Sequence, residues 1–240
     1  MKSLKLIFVT VLCVTTISST NAQFWNRVRG SGDVEEEKRE VGSFTGVKTS
    51  SSIDVYITQG KGHDVIVEAD DNLLEYIVTK VDNGILEVYP DDVSIRNAKR
   101  MRVYVTMEKV EYIRTSSAGD VIGETPVKTE SLKISTSSSG DVKLEVYAKE
   151  LYLKTSSAGD ITLRGTADYV EASTSSAGDI KAYDLEVKEA DLRSSSAGDI
   201  KITVTDKLRA RASSAGDIYY YGNPEYVDAR SSSGGDVVRK

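Results

Sequence analysis

One short phrase returns seven times along the second half of the chain, and it limits what the chain can fold into. Ser-Ser-x-Gly-Asp followed by Val or Ile occupies 116–121, 137–142, 156–161, 175–180, 195–200, 213–218 and 232–237. The invariant pairs are Gly119-Asp120, Gly140-Asp141, Gly159-Asp160, Gly178-Asp179, Gly198-Asp199, Gly216-Asp217 and Gly235-Asp236. Successive glycines are 21, 19, 19, 20, 18 and 19 residues apart. A looser relative, Ser50-Ser51-Ser52-Ile53-Asp54-Val55, opens the region before them. A fixed period of this kind is the mark of stacked repeats.

The flanks of each copy alternate with period two. Leu132, Ile134 and Thr136 share one face, and Lys133, Ser135 and Ser137 the other. Val142, Leu144 and Val146 alternate with Lys143 and Glu145. Such alternation describes half-buried strands. Each copy therefore reads as strand, corner, strand and a short return such as Thr166-Ala167-Asp168. One unit cannot bury its apolar face alone, but stacked units can, each strand pairing with its copy at about 4.8 Å. A propeller blade needs about 40–45 residues, roughly twice this unit. An antiparallel sandwich would need turns that reverse the chain, whereas identical turns favour stacking. The expected fold is all-β, a parallel β-solenoid with coils of about 19–20 residues. At each corner the glycine is expected to take positive φ and the aspartate to accept backbone N–H groups.

Four segments follow. Residues 1–22 have the layout of a secretory signal: Lys2 and Lys5, an apolar run from Leu6 to Ile17, and Thr20 and Ala22 before a cut at Gln23. Residues 23–40 read as a flexible leader, with Gly30-Ser31-Gly32 and a charged run from Glu35 to Glu40. Residues 41–110 read as irregular β-rich coils, room for about three, that continue or cap the solenoid. Asp71 to Val81 is the one weak helical stretch there, and Asp82-Asn83-Gly84 reads as a turn. Residues 111–240 form the regular solenoid. Export is the expected location: periplasm, outer-membrane surface or medium. The only cysteine, Cys13, falls in the signal, so no disulfide supports the remainder.

The segments Val41-Gly42-Ser43-Phe44-Thr45-Gly46-Val47, Ser52 to Gly60 (SIDVYITQG), Val65-Ile66-Val67-Glu68-Ala69 and Asn72-Leu73-Leu74 resemble the family named "putative auto-transporter adhesin, head GIN domain". Ser-x-Gly-Asp-Val/Ile repeats are also typical of it. The resemblance covers roughly residues 40–240. It implies a right-handed parallel β-helix, an exported location and an adhesin role, and it brings no catalytic residues.

Composition excludes several chemistries. With one Cys and one His, a Cys/His zinc site lacks ligands, and a Ser-His-Asp device would rest on His63 alone. A formal charge of −6 argues against nucleic acid. The aspartate row supplies one carboxylate per coil, too few for a calcium site, so no metal or cofactor is expected. Five residues before the glycines lies a second row. Arg114, Lys154, Arg193, Arg211 and Arg230 make five of its seven positions basic, with Ser135 and Ser173 between. It is a candidate stripe for an anionic glycan, or a solvated face balanced by Glu171, Asp191 and Asp228. Thirteen tyrosines, among them Tyr219-Tyr220-Tyr221 and Tyr226, would suit sugar stacking or a half-wet sheet.

The expected function is a non-enzymatic adhesin or scaffold, with a glycan or cell-surface protein as partner and homo-oligomer contacts through the C-terminal end. The alternative is a carbohydrate-binding or polysaccharide-active β-helix. An enzyme of that kind needs a cleft built by long loops, and no copy stands out with an insertion. Ice or mineral binding by the serine row is disfavoured because serine lacks the methyl group of threonine. No transmembrane segment is expected in the mature chain.

Overall fold

The computed structural model describes residues 26–240. The signal-peptide reading of 1–22, with Cys13, lies outside the described residues. The N-terminal part contains β1 (Asn26–Arg29), β2 (Val34–Arg39), β3 (Gly46–Thr49), β4 (Asp54–Gln59), β5 (Asp64–Asp70), a 3-10 turn (Asp71–Tyr76), β6 (Ile77–Asp82), β7 (Ile85–Pro90), β8 (Val93–Arg96) and β9 (Met101–Met107). The repeat contains β10 (Tyr112–Thr115), β11 (Val121–Gly123), β12 (Val127–Thr136), β13 (Val142–Thr155), β14 (Ile161–Thr174), β15 (Ile180–Ser195), β16 (Ile200–Ser213), β17 (Ile218–Tyr221), β18 (Tyr226–Ser232) and β19 (Val237–Arg239).

The fold is an all-β solenoid. From β10 onward every strand pairs in parallel with its counterpart one coil later, so Leu132, Leu151, Val170, Ala190 and Leu208 lie in one row. All five are buried. The alternation works as the pleat demands: Val142, Leu144 and Val146 face the core, and Lys143 faces out. Each buried Val, Ile or Leu contributes about 1.5–3 kcal/mol relative to exposure. The expected return between two strands is absent. Thr166, Ala167 and Asp168 lie within β14, and single strands of 14–16 residues curve from one corner to the next.

Coil length is not uniform on the outer wall. Ile122 pairs with Lys143 and Val127 with Val146, so the 21-residue coil loops out two extra residues around Glu124-Thr125-Pro126. Ala182 pairs with Ile202 and Glu186 with Thr203, so β15 bulges at Tyr183-Asp184-Leu185. The expectation that no copy carries an insertion is corrected here. The insertions are only one to three residues long, which spacing between glycines barely registers.

The region 41–110 departs from a simple run of three coils. β3 lies between β7 and β10, with Val47 opposite both Leu86 and Ile113. Likewise Val55 lies opposite both Val103 and Val121. The coil at 46–59 is thus inserted between the coil at 85–107 and the first regular repeat. Antiparallel strands close this end: β5 pairs with β9, β2 with β5 and β6 with β7. The β6–β7 reversal uses Asn83 and Gly84, both at positive φ (48° and 76°), as a two-residue hairpin turn requires. The helical stretch is the short 3-10 turn, which ends before β6.

The reading of 23–40 as a flexible leader is also corrected for its described part. β2 runs antiparallel to β5 from Val34–Asp70 to Arg39–Val65, and β1 pairs with β8. Gly32 takes positive φ (91°), and Gly30 serves close approach. A Cβ on Gly30 would sit 2.2 Å from Asp70 Oδ2. Buried Asp70 accepts the N–H groups of Gly32, Lys99 and Arg100 at 2.9–3.0 Å. That carboxylate fastens the leader to the body.

The corners themselves hold by a different rule from the expected one. None of the seven repeat glycines lies in the left-handed region. The second serine of the phrase does, with Ser138, Ser157, Ser176 and Ser196 at φ of 60–63°, and in four copies the next residue does too: Ala118, Ala197, Ala215 and Gly234. The glycine is needed because coils touch there. A Cβ on Gly159, Gly178 or Gly198 would lie 2.7 Å from the preceding glycine's carbonyl oxygen and 2.9 Å from a threonine Oγ1. That oxygen belongs to a row the alternation had marked only as inward-facing. Thr136, Thr155 and Thr174 are buried, and their hydroxyls donate to the carbonyls of Gly159, Gly178 and Gly198 at 2.9–3.1 Å.

Gly178→Ala is expected to destabilise the fold by about 2 kcal/mol or more, since both blocking atoms belong to packed coils. Ser176→Gly is expected to be neutral or to stabilise by up to about 1 kcal/mol, since glycine tolerates the left-handed region. Urea denaturation of both variants checks the pair. The reverse order would return the conformational burden to the glycine.

Candidate functional site

Stacked identical corners place like residues in rows, and those rows are the candidate sites. The aspartate row is a continuous hydrogen-bond ladder. Asp120 Oδ1 accepts the N–H of Asp141, and the same bond runs on through Asp160, Asp179 and Asp199 at 3.0 Å each. It continues to Asp217 at 3.2 Å and Asp236 at 2.9 Å, and at the other end Asp54 Oδ1 accepts the N–H of Asp120 at 3.3 Å. Each carboxylate therefore caps the next coil.

The ladder carries a charge conflict. Burial pushes the carboxyls of Asp54, Asp141 and Asp199 above their ordinary value, the bond from the next N–H pulls them back, and neighbouring aspartates push them up again. Lys181 relieves it in the middle, donating to Asp160 Oδ2 at 2.5 Å. Among the described residues no group of three or more His, Cys, Asp or Glu is arranged to hold a metal ion.

The basic row is in register as Arg114, Ser135, Lys154, Ser173, Arg193, Arg211 and Arg230. Its C-terminal half is engaged by acids on the same coil and on the neighbouring one. Arg211 meets Asp228 at 2.9 Å, Arg230 meets the same carboxylate at 3.3 Å, and Arg193 lies 3.4 Å from Asp191 and 3.7 Å from Glu171. Arg211 holds the Asp228 carboxyl below the ordinary aspartate value. Arg114 and Lys154 have no ion pair among the described residues and face outward. The stripe is thus a solvated, largely compensated face whose free charge sits at its N-terminal end.

The tyrosines do not form one platform. Tyr152 and Tyr169 meet edge to face at 6.4 Å, and Tyr219 donates to Asp217 Oδ2 at 2.9 Å. Tyr183, Tyr221 and Tyr226 are well exposed, and Tyr183 and Tyr221 lie 6.5 Å apart although 38 positions separate them in sequence. The Tyr183 bulge was not marked by sequence reasoning. Its signal was the step from 19 to 20 residues between glycines. His63 contacts Phe44 and the Phe44 carbonyl at 3.1 Å, a loop contact with no acid–base partner shown.

A parallel stack of this kind defines a β-solenoid repeat protein. The chain belongs to the family described as "Putative auto-transporter adhesin, head GIN domain", which matches residues 43–224. Solved structures share the fold. A protein from Bacteroides fragilis described as a "putative adhesin" is 23% identical, with a TM-score of 0.82 over 89% of this chain and 100% of that one. A "putative adhesin" from Parabacteroides merdae is 22% identical, with a TM-score of 0.73 over 90% of this chain and 99% of that one. A "putative lipid binding protein" from Parabacteroides distasonis is 24% identical, with a TM-score of 0.72 over 89% of this chain and 100% of that one. No curated protein matches the sequence. Among the described residues no helix is long and apolar enough to cross a membrane.

The raised aspartates give a pH signature. Their folded pKa values exceed the unfolded one, so the folded state takes up protons first as pH falls. They oppose folding at neutral pH, and that opposition is relieved as pH falls through the folded values to the ordinary 3.8. Asp141→Asn with Asp199→Asn keeps the oxygen acceptors and removes two charges. The double variant is expected to be more stable than wild type at pH 7, with the difference gone below pH 3.8. Thermal unfolding against pH checks this, and an advantage that grew in acid would contradict the charge conflict.

Proposed function

We propose that the chain is an exported, non-enzymatic adhesin module that presents a rigid solenoid surface at the cell envelope. The observation that supports it most is the corner ladder, which fixes seven coils in register and so holds outward side chains in straight rows. Family membership supports the adhesive role, and the secretory layout of residues 1–22 supports export. A rigid array suits avidity: many weak contacts to a repetitive surface act together without an ordering cost at each binding event. The partner in this reading is a glycan or a cell-surface protein. The charged end of the basic row, Arg114 and Lys154, favours partners with scattered negative charge.

Two measurements test the reading. Fractionation of cells expressing the full chain is expected to recover it with the envelope or medium, beginning at Gln23; recovery in the cytosol with Met1 intact contradicts export. Beads coated with the purified chain are expected to adhere to cell surfaces more than uncoated beads. Equal adherence contradicts the adhesin role.

A further inference from the structure

The outer wall carries one relief that the repeat does not require. Between two longer coils lie two 19-residue coils, and the difference in length carves a groove of about 340 Å³. Its floor is the outward row of the short coils, where Lys143 pairs with Thr162 and Glu145 with Arg164 above the buried Leu144 and Leu163. One wall is the Glu124-Thr125-Pro126 loop of the 21-residue coil. The opposite wall is the Tyr183-Asp184 bulge of the 20-residue coil. A bulge that re-aims a side chain beside a depression is a common way for sheets to build a site.

Both walls are fixed. Glu124 donates its N–H to the carbonyl of Ile57 at 2.9 Å, and its carboxylate accepts the Thr58 hydroxyl at 2.8 Å. Thr125 Oγ1 accepts the N–H of Gln59 at 2.9 Å. Across the groove the Tyr183 carbonyl accepts the Thr203 hydroxyl at 2.6 Å, while the ring stays 53% exposed beside Tyr221. Three coil spacings separate the walls, about 14 Å. That span fits a ligand the size of one or two sugar rings.

The chemistry narrows the ligand. Three cations line the groove, Lys143, Arg164 and Lys181, against three carboxylates, Glu124, Glu145 and Asp184. Arg164 Nη2 and Glu145 already pair at 2.7 Å, and Lys181 is held by Asp160. The lining is charge-balanced, so it gives no net pull on an anion or a cation. It offers dense donors and acceptors and one exposed aromatic face, Tyr183. A neutral polyhydroxylated ligand satisfies both at once: its hydroxyls pair with the charged groups and its C–H face lies on the ring.

We infer that this groove is a binding site for a neutral oligosaccharide, about two hexose units of which it would enclose, with Tyr183 as the stacking face and Glu145, Arg164 and Asp184 as hydroxyl partners. The inference deepens the adhesin reading and rests on it.

The test is isothermal titration of the purified chain with maltohexaose, cellohexaose, mannohexaose and chitohexaose, alongside heparin and phosphatidylcholine vesicles. At least one neutral hexasaccharide is expected to bind. Tyr183→Ala and Asp184→Asn are each expected to weaken that binding tenfold or more without moving the melting temperature, and Tyr183→Phe to retain it. Arg193→Ala with Arg211→Ala is expected to leave it unchanged. Binding of only heparin or vesicles, no binding at millimolar sugar, or sugar binding indifferent to Tyr183→Ala would each overturn the groove. If the same Tyr183→Ala variant still drives bead adherence while the sugars fail, the adhesin reading survives and this site does not.

Discussion

Contact between glycines of neighbouring coils is the constraint on which the rest depends. At Gly159, Gly178 and Gly198 there is no room for even one methyl group, because the carbonyl of the coil below already occupies it. That contact draws the corners together closely enough for a threonine hydroxyl to reach the next glycine's carbonyl. It also lets each aspartate cap the N–H of the next. The second serine takes the left-handed backbone so that the glycine does not have to. Local strain of about 1–2 kcal/mol at the serine is offset by bonds that repeat in every coil.

Register then follows along the whole wall. Because each corner is locked to the one below, a coil cannot slide to absorb an extra residue. Insertions must emerge as relief, at Glu124–Pro126 and at Tyr183–Leu185. The groove between them is the geometric consequence of two short coils held between two longer ones. At the far end Leu208 is fully buried, whereas Val227, one coil later in the same row, is 42% exposed. The other end is closed by β2, β5 and their antiparallel neighbours.

The solenoid was legible because its evidence is local. Period-two alternation and a recurring corner are visible within any 20 residues. What escaped depends on partners distant in sequence. Nothing in Val47 says that it lies between Leu86 and Ile113, so the inserted coil order was invisible. Val34 to Arg39 reads as a charge run because its outer face is solvated, and only the antiparallel edge of β5 makes it a strand. Asp70 explains Gly30, but 40 residues separate them in sequence. The glycine row was found for the wrong reason, since conformational freedom and close approach leave the same residue in the sequence. The sequence left the basic row as either a ligand stripe or a face balanced by Glu171, Asp191 and Asp228, and the pairing of Arg193, Arg211 and Arg230 with those acids favours the second.

Native-state amide hydrogen exchange tests the corner ladder most directly. If the aspartates hold the coils together, the amides of Asp160, Asp179 and Asp199 should exchange as slowly as the strand amides of Leu153 and Leu163, opening only when the fold opens. Exchange at the rate of exposed turns, with the strands still protected, would mean that the corners are passengers on a stack held by its core alone.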